Sequence, residues 1–471
     1  MYLRYFYDQK LAHASYLVGC QATGEAIVVD PNRNVDMYLQ DAEANGLRII
    51  GTTETHIHAD FVSGSREIAE RTGARLYVSD EGDENWKYLF LDGYDHQLLK
   101  DGDEFWAGNV KFTVMHTPGH TPEHISFLLS DTAKADEPVG IFTGDFVFVG
   151  DIGRPDLLEE AAGMVGTADA GARQMFQSLK RFAALPDYLQ VWPAHGAGSA
   201  CGKALGAVPS TTVGYEKLFG WAFQIDEEEA FVNELLADQP EAPKYFAEMK
   251  KVNKVGPNVL HGGPHPAMLP CSRLEALAKG DAIIVDTRSA EQFAAGYVPG
   301  TINIPQEMMA GWAGWLLNYD KPFYLIVDPD DLRDVIHSLT YIGLDDVAGY
   351  FETSAVSMLE QNGLALDSYD MAHPAELAEQ ISAGAVELID VRGKGEWEES
   401  HIPGARHFML GYLCNQAEEV INGKPIVVQC QSSARGAIGA SILKKKGASQ
   451  VINMVGGMTA WQNAGLPITT A

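Results

Sequence analysis

The chain has 471 residues and a formal net charge of −30 at pH 7. This excess of acidic residues excludes binding of nucleic acid or an anionic membrane through a broad basic surface. The length predicts roughly two to four domains, and no apolar run approaches the ~20 residues that span a bilayer. The first residues are typical of a strand rather than a signal peptide, and five scattered cysteines favour reduced thiols. We therefore expect a cytoplasmic protein that binds no membrane.

The first part of the chain is predicted to consist mostly of strands, with a few helices between them. Gly46 and Gly73 are expected to end helices at about 35–44 and 62–71. A third helix is predicted at about 171–184. Two sheets enclosed by helices fit this order of elements. The strands are predicted at 3–7, 14–19, 26–30, 48–53, 75–79 and 110–116.

A short stretch after the fourth predicted strand carries side chains that bind metals. Two imidazoles and a carboxylate alternate there, at His56, His58 and Asp60. Because alternate residues of an extended segment point the same way, the three side chains can face one small volume. Imidazole and carboxylate groups are common ligands of transition metals. The stretch therefore predicts a metal site.

Three further donors follow apolar, strand-like runs downstream: His120, Asp145 and His195. The end of a buried strand is where a rigid sheet holds a functional group in place. The series THIHADF, TPGHT, TGD and PAHG resembles the metallo-β-lactamase superfamily, over about residues 1–255. That resemblance implies an αββα sandwich with a metal centre at the ends of its strands.

The residue after Asp60 separates two branches of this superfamily. Members that resemble glyoxalase II have a histidine there and hold two metal ions, whereas this chain has Phe61. Persulfide dioxygenases keep a single ferrous ion. By similarity, we expect one Fe(II) per chain, bound by a facial triad of two histidines and one carboxylate. In this assignment the ligands are His56, His120 and Asp145, while His58, Asp60 and His195 orient ligands and water.

Past a linker rich in proline and glycine, at 256–270, the chain repeats itself. The apolar strand that ends at Asp286 recurs at Asp390, and both halves alternate strands and helices. This pattern predicts two compact α/β units with mainly parallel sheets. The second copy resembles a rhodanese domain through DVR, HIPGA and GGMTAW, and the first resembles it more weakly. The predicted organisation is a metallo-β-lactamase domain at 1–255, the linker, an inactive rhodanese-like domain at 271–368 and an active one at 369–471.

The second copy contains a candidate sulfur-transfer loop between a strand and a helix. Backbone N–H groups in such a loop can form an anion nest that favours a thiolate. An isolated cysteine is ordinarily a small buried hydrophobe, but here a cationic side chain closes the loop. Four residues separate Cys430 from Arg435, as in sulfurtransferases, whereas cysteine phosphatases have five. Cys430 is the predicted sulfur carrier, and Arg435, Gln431, Ser432 and Ser433 are predicted to hold the persulfide or an incoming anion.

The first copy lacks the residues that form this sulfur-transfer loop. Val327 occupies the place of Cys430, and acidic residues and a proline follow it. Because these residues would repel anions and disrupt the nest, we expect this copy to serve as a spacer or an interface.

Two residues of the N-terminal part have open interpretations. Cys201 follows His195 in a glycine-rich segment, either as a packed small residue or as a thiol that exchanges sulfane sulfur. Arg154 either anchors an anionic substrate or forms an ion pair with Asp156.

The resemblance implies iron-dependent oxidation of a low-molecular-weight persulfide by O2 to sulfite, with thiosulfate formed through Cys430. The expected partners are therefore the persulfide, O2, sulfite and thiosulfate, and we also expect a homo-oligomer. The alternative is a binuclear zinc thioester hydrolase of the glyoxalase II kind with an accessory sulfurtransferase domain. A third hypothesis is a non-enzymatic sulfur carrier or scaffold, which would lack a metal.

Overall fold

The computed structural model describes residues 1–157, 159, 166–203 and 205–470. The chain divides into two compact units. The N-terminal unit comprises residues 1–263 with 340–343, and the C-terminal unit comprises 264–339 with 344–471.

The N-terminal unit contains two six-stranded sheets. The first has the order β1-β2-β3-β4-β5-β6 and is parallel from β3 onward. The second has the order β12-β11-β10-β9-β8-β7. The strands are β1 Tyr2–Asp8, β2 His13–Cys20, β3 Glu25–Val29, β4 Arg48–Thr53, β5 Arg75–Ser79, β6 His96–Leu99, β7 Glu104–Ala107, β8 Val110–His116, β9 Ile125–Asp131, β10 Gly140–Gly144, β11 Gln190–Pro193 and β12 Thr211–Thr212.

The sheets pack face to face through a shared apolar core. Val18 of β2 and Phe112 of β8 belong to that core, whereas Leu17, the neighbour of Val18, packs against helices on the outer face. This alternation is the two-residue period of a strand buried on both faces. Other helices cover the outer face of the second sheet, so the predicted αββα sandwich is confirmed. The helices of this unit are α1 Asp36–Ala44, α2 Ser65–Thr72, α3 Thr167–Ala183, α4 Val213–Phe219, α5 Glu228–Leu236 and α6 Phe246–Val255.

The C-terminal unit confirms the internal repeat. Its first sheet has the order β14-β13-β15-β16, and its second has β17-β21-β20-β18-β19, all parallel. Reversed, the second order reproduces the first and adds β17 at one edge. The strands are β13 Ile283–Asp286, β14 Ile302–Asn303, β15 Phe323–Val327, β16 Val347–Glu352, β17 Asp370–Ala372, β18 Glu387–Asp390, β19 Arg406–His407, β20 Ile426–Gln429 and β21 Val451–Met454.

The helices of this unit alternate with its strands, as parallel sheets require. They are α7 Leu274–Lys279, α8 Ala290–Ala295, α9 Met309–Leu316, α10 Leu332–Tyr341, α11 Ser354–Gln361, α12 Pro374–Ser382, α13 Lys394–Glu399, α14 Leu410–Val420, α15 Ala434–Lys445 and α16 Gly457–Asn463. None of the helices in the described ranges is long and apolar enough to cross a membrane.

Candidate functional site

The first donor cluster lies where strands of both sheets end. The candidate ligand atoms of His56, His120 and Asp145 lie within 4.8 Å of one another, and all three residues are buried. Asp145 Oδ2 is 3.5 Å from His120 Nε2 and 3.9 Å from His56 Nε2. His56 follows β4, His120 lies in the turn between β8 and β9, and Asp145 directly follows β10. The structure thus brings together the three residues that the sequence predicts as ligands.

Hydrogen bonds fix the tautomer of both histidines. Nδ1–H of His120 donates to the Arg154 carbonyl at 2.9 Å. The hydroxyl of Thr55 donates to Asp30 Oδ2 at 3.0 Å, so it accepts from Nδ1–H of His56, also at 3.0 Å. Each imidazole is left with the lone pair of Nε2 facing the cluster, which is the form that binds a metal.

The cluster has the chemistry of a cation site. Nε2 of His56 and both carboxylate oxygens of Asp145 are buried, and they have no hydrogen-bond partner among the described residues. Buried polar atoms are rarely left unsatisfied, because their desolvation is costly. Burial and the neighbouring imidazoles lower the pKa of His56, and burial lowers the pKa of His120. Both rings are therefore neutral, and the residues present fit a bound metal ion.

Asp30 hydrogen-bonds the segment that carries His56 and His58, a role that the sequence analysis did not predict. Oδ1 of Asp30 accepts the backbone N–H of Thr55 at 2.7 Å and lies 3.1 Å from Nε2 of His58. Burial alone would lower the pKa of His58, but the Asp30 carboxylate raises it to about 9. The Asp30 carboxylate thus holds Nε2 of His58 in place, and the orienting role of His58 stays a prediction. A carboxylate just past β3, beside parallel β4, was the signal available in the sequence.

A second donor cluster adjoins the first. The ligand atoms of Asp60, His195 and Cys201 lie within 4.8 Å of one another, and all three residues are buried. Nε2 of His195 is 3.0 Å from Asp60 Oδ2 and 3.4 Å from Asp145 Oδ1. Burial raises the pKa of the Cys201 thiol to about 12. Cys201 is thus buried beside Asp60 and His195, and both interpretations of this residue stay predictions.

Phe61 and His13 form an aromatic wall beside these clusters. Their ring centroids are 3.9 Å apart, and the His58 ring lies 4.4 Å from that of Phe61. His13 is 1% exposed, and neither of its ring nitrogens has a hydrogen-bond partner among the described residues. Burial keeps the pKa of His13 well below its usual value. The sequence offered no signal for His13, which is an isolated histidine at the start of β2.

Arg154 adopts the ion-pair alternative. Its side chain is fully buried, and Nε donates to Asp156 Oδ1 at 2.9 Å. The residue serves the metal centre through its backbone instead, since its carbonyl orients His120. A role in binding an anionic substrate stays a prediction.

The candidate sulfur-transfer loop joins β20 to α15. Its backbone enters the left-handed region at Ser433, with φ of 80°, directly before the helix. The Cys430 carbonyl accepts the N–H of Met458 at 2.8 Å, and Gly457 approaches that carbonyl so closely that a side chain would collide with it. Gln431 donates to Thr459 Oγ1 at 3.0 Å. The loop is therefore fixed between two helix N-termini.

Arg435 has a partner that the sequence analysis missed. Its guanidinium donates to both carboxylate oxygens of Glu396, at 2.6 and 2.7 Å. Burial alone would lower the pKa of Arg435, but Glu396 and then Cys430 raise it. The charge predicted to face the sulfur is thus oriented by a carboxylate of α13.

Residues 9–195 match the metallo-beta-lactamase superfamily, and residues 373–464 match the rhodanese-like domain. The crystal structure of a metallo-beta-lactamase from Staphylococcus aureus subsp. aureus COL is 43% identical and has a TM-score of 0.68. That similarity covers 75% of this chain and 99% of that one. The chain belongs to the metallo-β-lactamase superfamily. It is a metallo-β-lactamase-fold enzyme fused to a rhodanese-like domain. The fold implies a bound metal ion, and the donors of the first cluster are suited to hold one.

Two curated relatives each match less than half of this chain. A beta-lactamase hydrolase-like protein from Xylella fastidiosa (strain 9a5c) is 29% identical over 40% of this chain and 46% of its own length. Hydroxyacylglutathione hydrolase from Rhodospirillum rubrum is 33% identical over 38% of this chain and 60% of its own length. The chain therefore spans about half the length of these two relatives.

Proposed function

We propose that the chain is a persulfide dioxygenase with sulfurtransferase activity. Its N-terminal unit would oxidise a low-molecular-weight persulfide, and its rhodanese-like domain would transfer sulfane sulfur through Cys430. The observation that carries the proposal is the convergence of two imidazoles and one carboxylate, whose ligand atoms lie within 4.8 Å of one another. Among the described residues, Nε2 of His56 and both oxygens of Asp145 have no hydrogen-bond partner. Two histidines and one carboxylate are the ligand set of non-haem iron(II) oxygenases. When bound by His56, His120 and Asp145, one Fe(II) supplies open positions for O2 and for sulfur.

The proposed oxidation is balanced in atoms and electrons. A persulfide, O2 and water give sulfite and the free thiol, and the S–S bond breaks. Both atoms of O2 and the oxygen of water end on the outer sulfur, which loses four electrons to O2. Asp30 and Thr55 contribute by holding the ligands in place before substrate arrives, which reduces the reorganisation needed at reaction. The buried rings of Phe61 and His13 keep bulk water away from the reacting sulfur.

The Cys430 loop would perform the second step. The outer sulfur of a Cys430 persulfide passes to sulfite, the S–S bond breaks, and thiosulfate leaves as the Cys430 thiol is restored. Arg435 and the loop N–H groups would stabilise the anions on both sides of this transfer. The proposal includes a homo-oligomer and a cytoplasmic location, in keeping with five cysteines that form no disulfide bonds.

The alternative is a binuclear zinc hydrolase of thioesters. It is favoured by the similarity to a hydroxyacylglutathione hydrolase, which is 33% identical over the matched residues. Two observations count against it. The ligand atoms that converge with those of His56 and Asp145 include none from His58 among the described residues, and the position after Asp60 is an aromatic residue.

Oxygen uptake decides between the two functions. The full chain, purified without oxygen and loaded with Fe(II), is expected to consume O2 when glutathione persulfide is added, with sulfite as the first product. The same sample is expected not to hydrolyse a glutathione thioester. Thioester hydrolysis without persulfide-dependent oxygen uptake would overturn the proposal.

A further inference from the structure

The loop between β4 and α2 carries the first histidine of the metal centre, His56. Outside regular secondary structure, buried backbone groups need other hydrogen-bond partners, because leaving them unsatisfied is costly. Here two distant carboxylates supply partners. Asp30 accepts the N–H of Thr55 at 2.7 Å, and Glu123 accepts the N–H of Ile57 at 2.9 Å. Side chains therefore fix the backbone on both sides of the histidine.

A third side chain, Asn253, makes three hydrogen bonds to the same loop. Its Nδ2 donates to the carbonyls of His58 and Phe61, at 2.8 and 2.7 Å. Its Oδ1 accepts the N–H of Ser63 at 2.9 Å. A rotated amide would place its oxygen against two carbonyls, so only one orientation satisfies all three groups. The turn that contains Asp60 is thus held at both of its ends.

Helix α6 presents Asn253 from its buried face. The buried residues of this helix are Phe246, Met249, Lys250 and Asn253, which is the spacing of one helical face. Asn253 is only 1% exposed. A buried polar side chain is costly unless it is hydrogen-bonded, and the groups of the loop satisfy this one. The asparagine therefore has a specific partner in the loop and does not merely fill the core.

Further contacts hold α6 against the segment that follows β5. Nζ of Lys250 lies 3.4 Å from the centroid of the Trp86 ring, a cation–π contact. Nζ of Lys254 donates to the carbonyls of Glu84 and Asn85, at 3.2 and 3.0 Å. The helix is thus anchored at two successive turns, and a group on an anchored helix is held more precisely than one on a loop.

We propose that Asn253 is a positioning residue of the metal centre, which makes α6 part of the site although every predicted donor precedes it in the chain. By fixing the turn after His58, Asn253 holds the backbone that places His56 beside His120 and Asp145. Loss of such an outer partner lowers metal affinity by about 10- to 100-fold. The inference rests on the metal-binding part of the proposed function, and it is independent of the reaction that the metal supports.

Cobalt(II) is the probe for this role, because its visible d–d bands report the geometry of its ligands. The metal-free full chain is titrated with Co²⁺ without oxygen, in competition with a chelator. Asn253→Ala removes all three hydrogen bonds, so it should bind cobalt about 10- to 100-fold more weakly than the wild type, with shifted bands at saturation. Asn253→Asp keeps an oxygen for the N–H of Ser63 but places another against two carbonyls, and it should bind cobalt at least as weakly.

Asn303→Ala is the matched control. Asn303 is fully buried in the C-terminal unit, and its Nδ2 donates to the carbonyls of Asp286 and Arg288, both at 2.9 Å. The control variant loses hydrogen bonds of the same kind outside the N-terminal unit. It should therefore keep the cobalt affinity and the d–d bands of the wild type.

Circular dichroism of the metal-free samples establishes which variants are folded, and Asn253→Asp decides if Asn253→Ala is not. Three results would overturn the positioning role: wild-type affinity in a folded Asn253 variant, weaker binding with unchanged bands, or an equal loss of affinity in Asn303→Ala. A wild-type chain that binds no cobalt would also overturn it. Absence of persulfide-dependent oxygen uptake would overturn the proposed reaction alone and would leave the cobalt measurement unaffected.

Discussion

The metal centre and the Cys430 loop are built in opposite ways. The donors of the metal centre, His56, His120 and Asp145, come from three separate loops that follow β4, β8 and β10. The Cys430 loop is one run of four residues, Cys430 to Ser433, between β20 and α15, with Arg435 in the first turn of the helix. The first site therefore depends on the packing of two sheets, whereas the second depends on one strand–helix junction. This difference predicts that each site can be disabled without the other.

The largest expected effect follows from removal of Asp145. Its two oxygens have no hydrogen-bond partner among the described residues and lie beside both clusters, so Asp145→Ala should remove bound iron. Oxygen uptake with persulfide should fall on the order of a thousandfold or more, as when a group essential to chemistry is removed. Sulfur transfer by the rhodanese-like domain should persist. Asp95→Ala, at an exposed ion pair with Arg75, is the matched control. Full iron content in Asp145→Ala would contradict the ligand assignment.

Cys430→Ser should have the reverse effect. Sulfur transfer should fall by about a thousandfold or more, the scale expected for loss of a nucleophile. Persulfide-dependent oxygen uptake should stay near the wild-type rate, and the product should shift from thiosulfate to sulfite. Cys414→Ser is the control, measured by the same product analysis. An unchanged thiosulfate yield would mean that another thiol, Cys201 first, carries the sulfur.

A smaller effect is expected for the support of His56. Thr55→Val removes the hydroxyl that connects His56 to Asp30. Iron affinity should fall by about 10- to 100-fold, as is usual for outer-shell partners of metal ligands. Thr53→Val is the matched control, because its buried hydroxyl donates to the Tyr77 carbonyl away from the centre. Equal iron affinities in the two variants, measured by competition with a chelator, would count against this role.

Within the Cys430 loop, the Arg435–Glu396 pair can be dissected by a double variant. Arg435→Gln removes the guanidinium partner of Glu396, and sulfur transfer should fall roughly tenfold, the scale of one charge-assisted hydrogen bond. Adding Glu396→Gln should restore only part of the loss if Arg435 acts on the anion itself. Complete recovery in steady-state transfer would show that Arg435 serves only to neutralise Glu396.

The smallest effect is expected in the first rhodanese-like copy. Val327→Cys, made in the Cys430→Ser background, should give no measurable gain in sulfur transfer. Val327 is the fully buried last residue of β15, and the N–H of Asp330 closes the following turn on Asp328 Oδ1. A turn closed on a carboxylate cannot serve as an anion nest. A rate of sulfur transfer above that of Cys430→Ser alone would mean that the fold of the first copy, once given a cysteine, is enough for sulfur transfer.

The two rhodanese-like copies share a structural ion pair that lies outside the active loop. Arg288 bonds Asp286 at 3.0 and 2.7 Å, and Arg392 bonds Asp390 at the same distances. These ion pairs tie the end of the central strand to the next loop in both copies. They are independent of the residue at the head of the active loop, so they persist where Cys430 is replaced by Val327.

The sequence was sufficient for features that depend on local pattern. The strand-end donors, the internal repeat and the junction at Cys430 all follow from periodicity and spacing, and the structure contains each of them. Asp30, His13 and Glu396 were missed because their roles arise from contacts between residues distant along the chain. Glu396 lies 39 residues from Arg435, and His13 reaches the site only because β2 lies beside the segment that carries His195.

The backbone carbonyls that orient His120 and His195 have a consequence for stability. Because these acceptors belong to Arg154 and Ala12, a side-chain substitution does not remove them, and the proton position on each ring is set by the path of the main chain. Local opening of either segment would free the rings to rotate and release the cation before the sheets come apart. Metal retention during gentle heating therefore reports the local melting of these two segments, and added metal ion should raise the temperature at which they open.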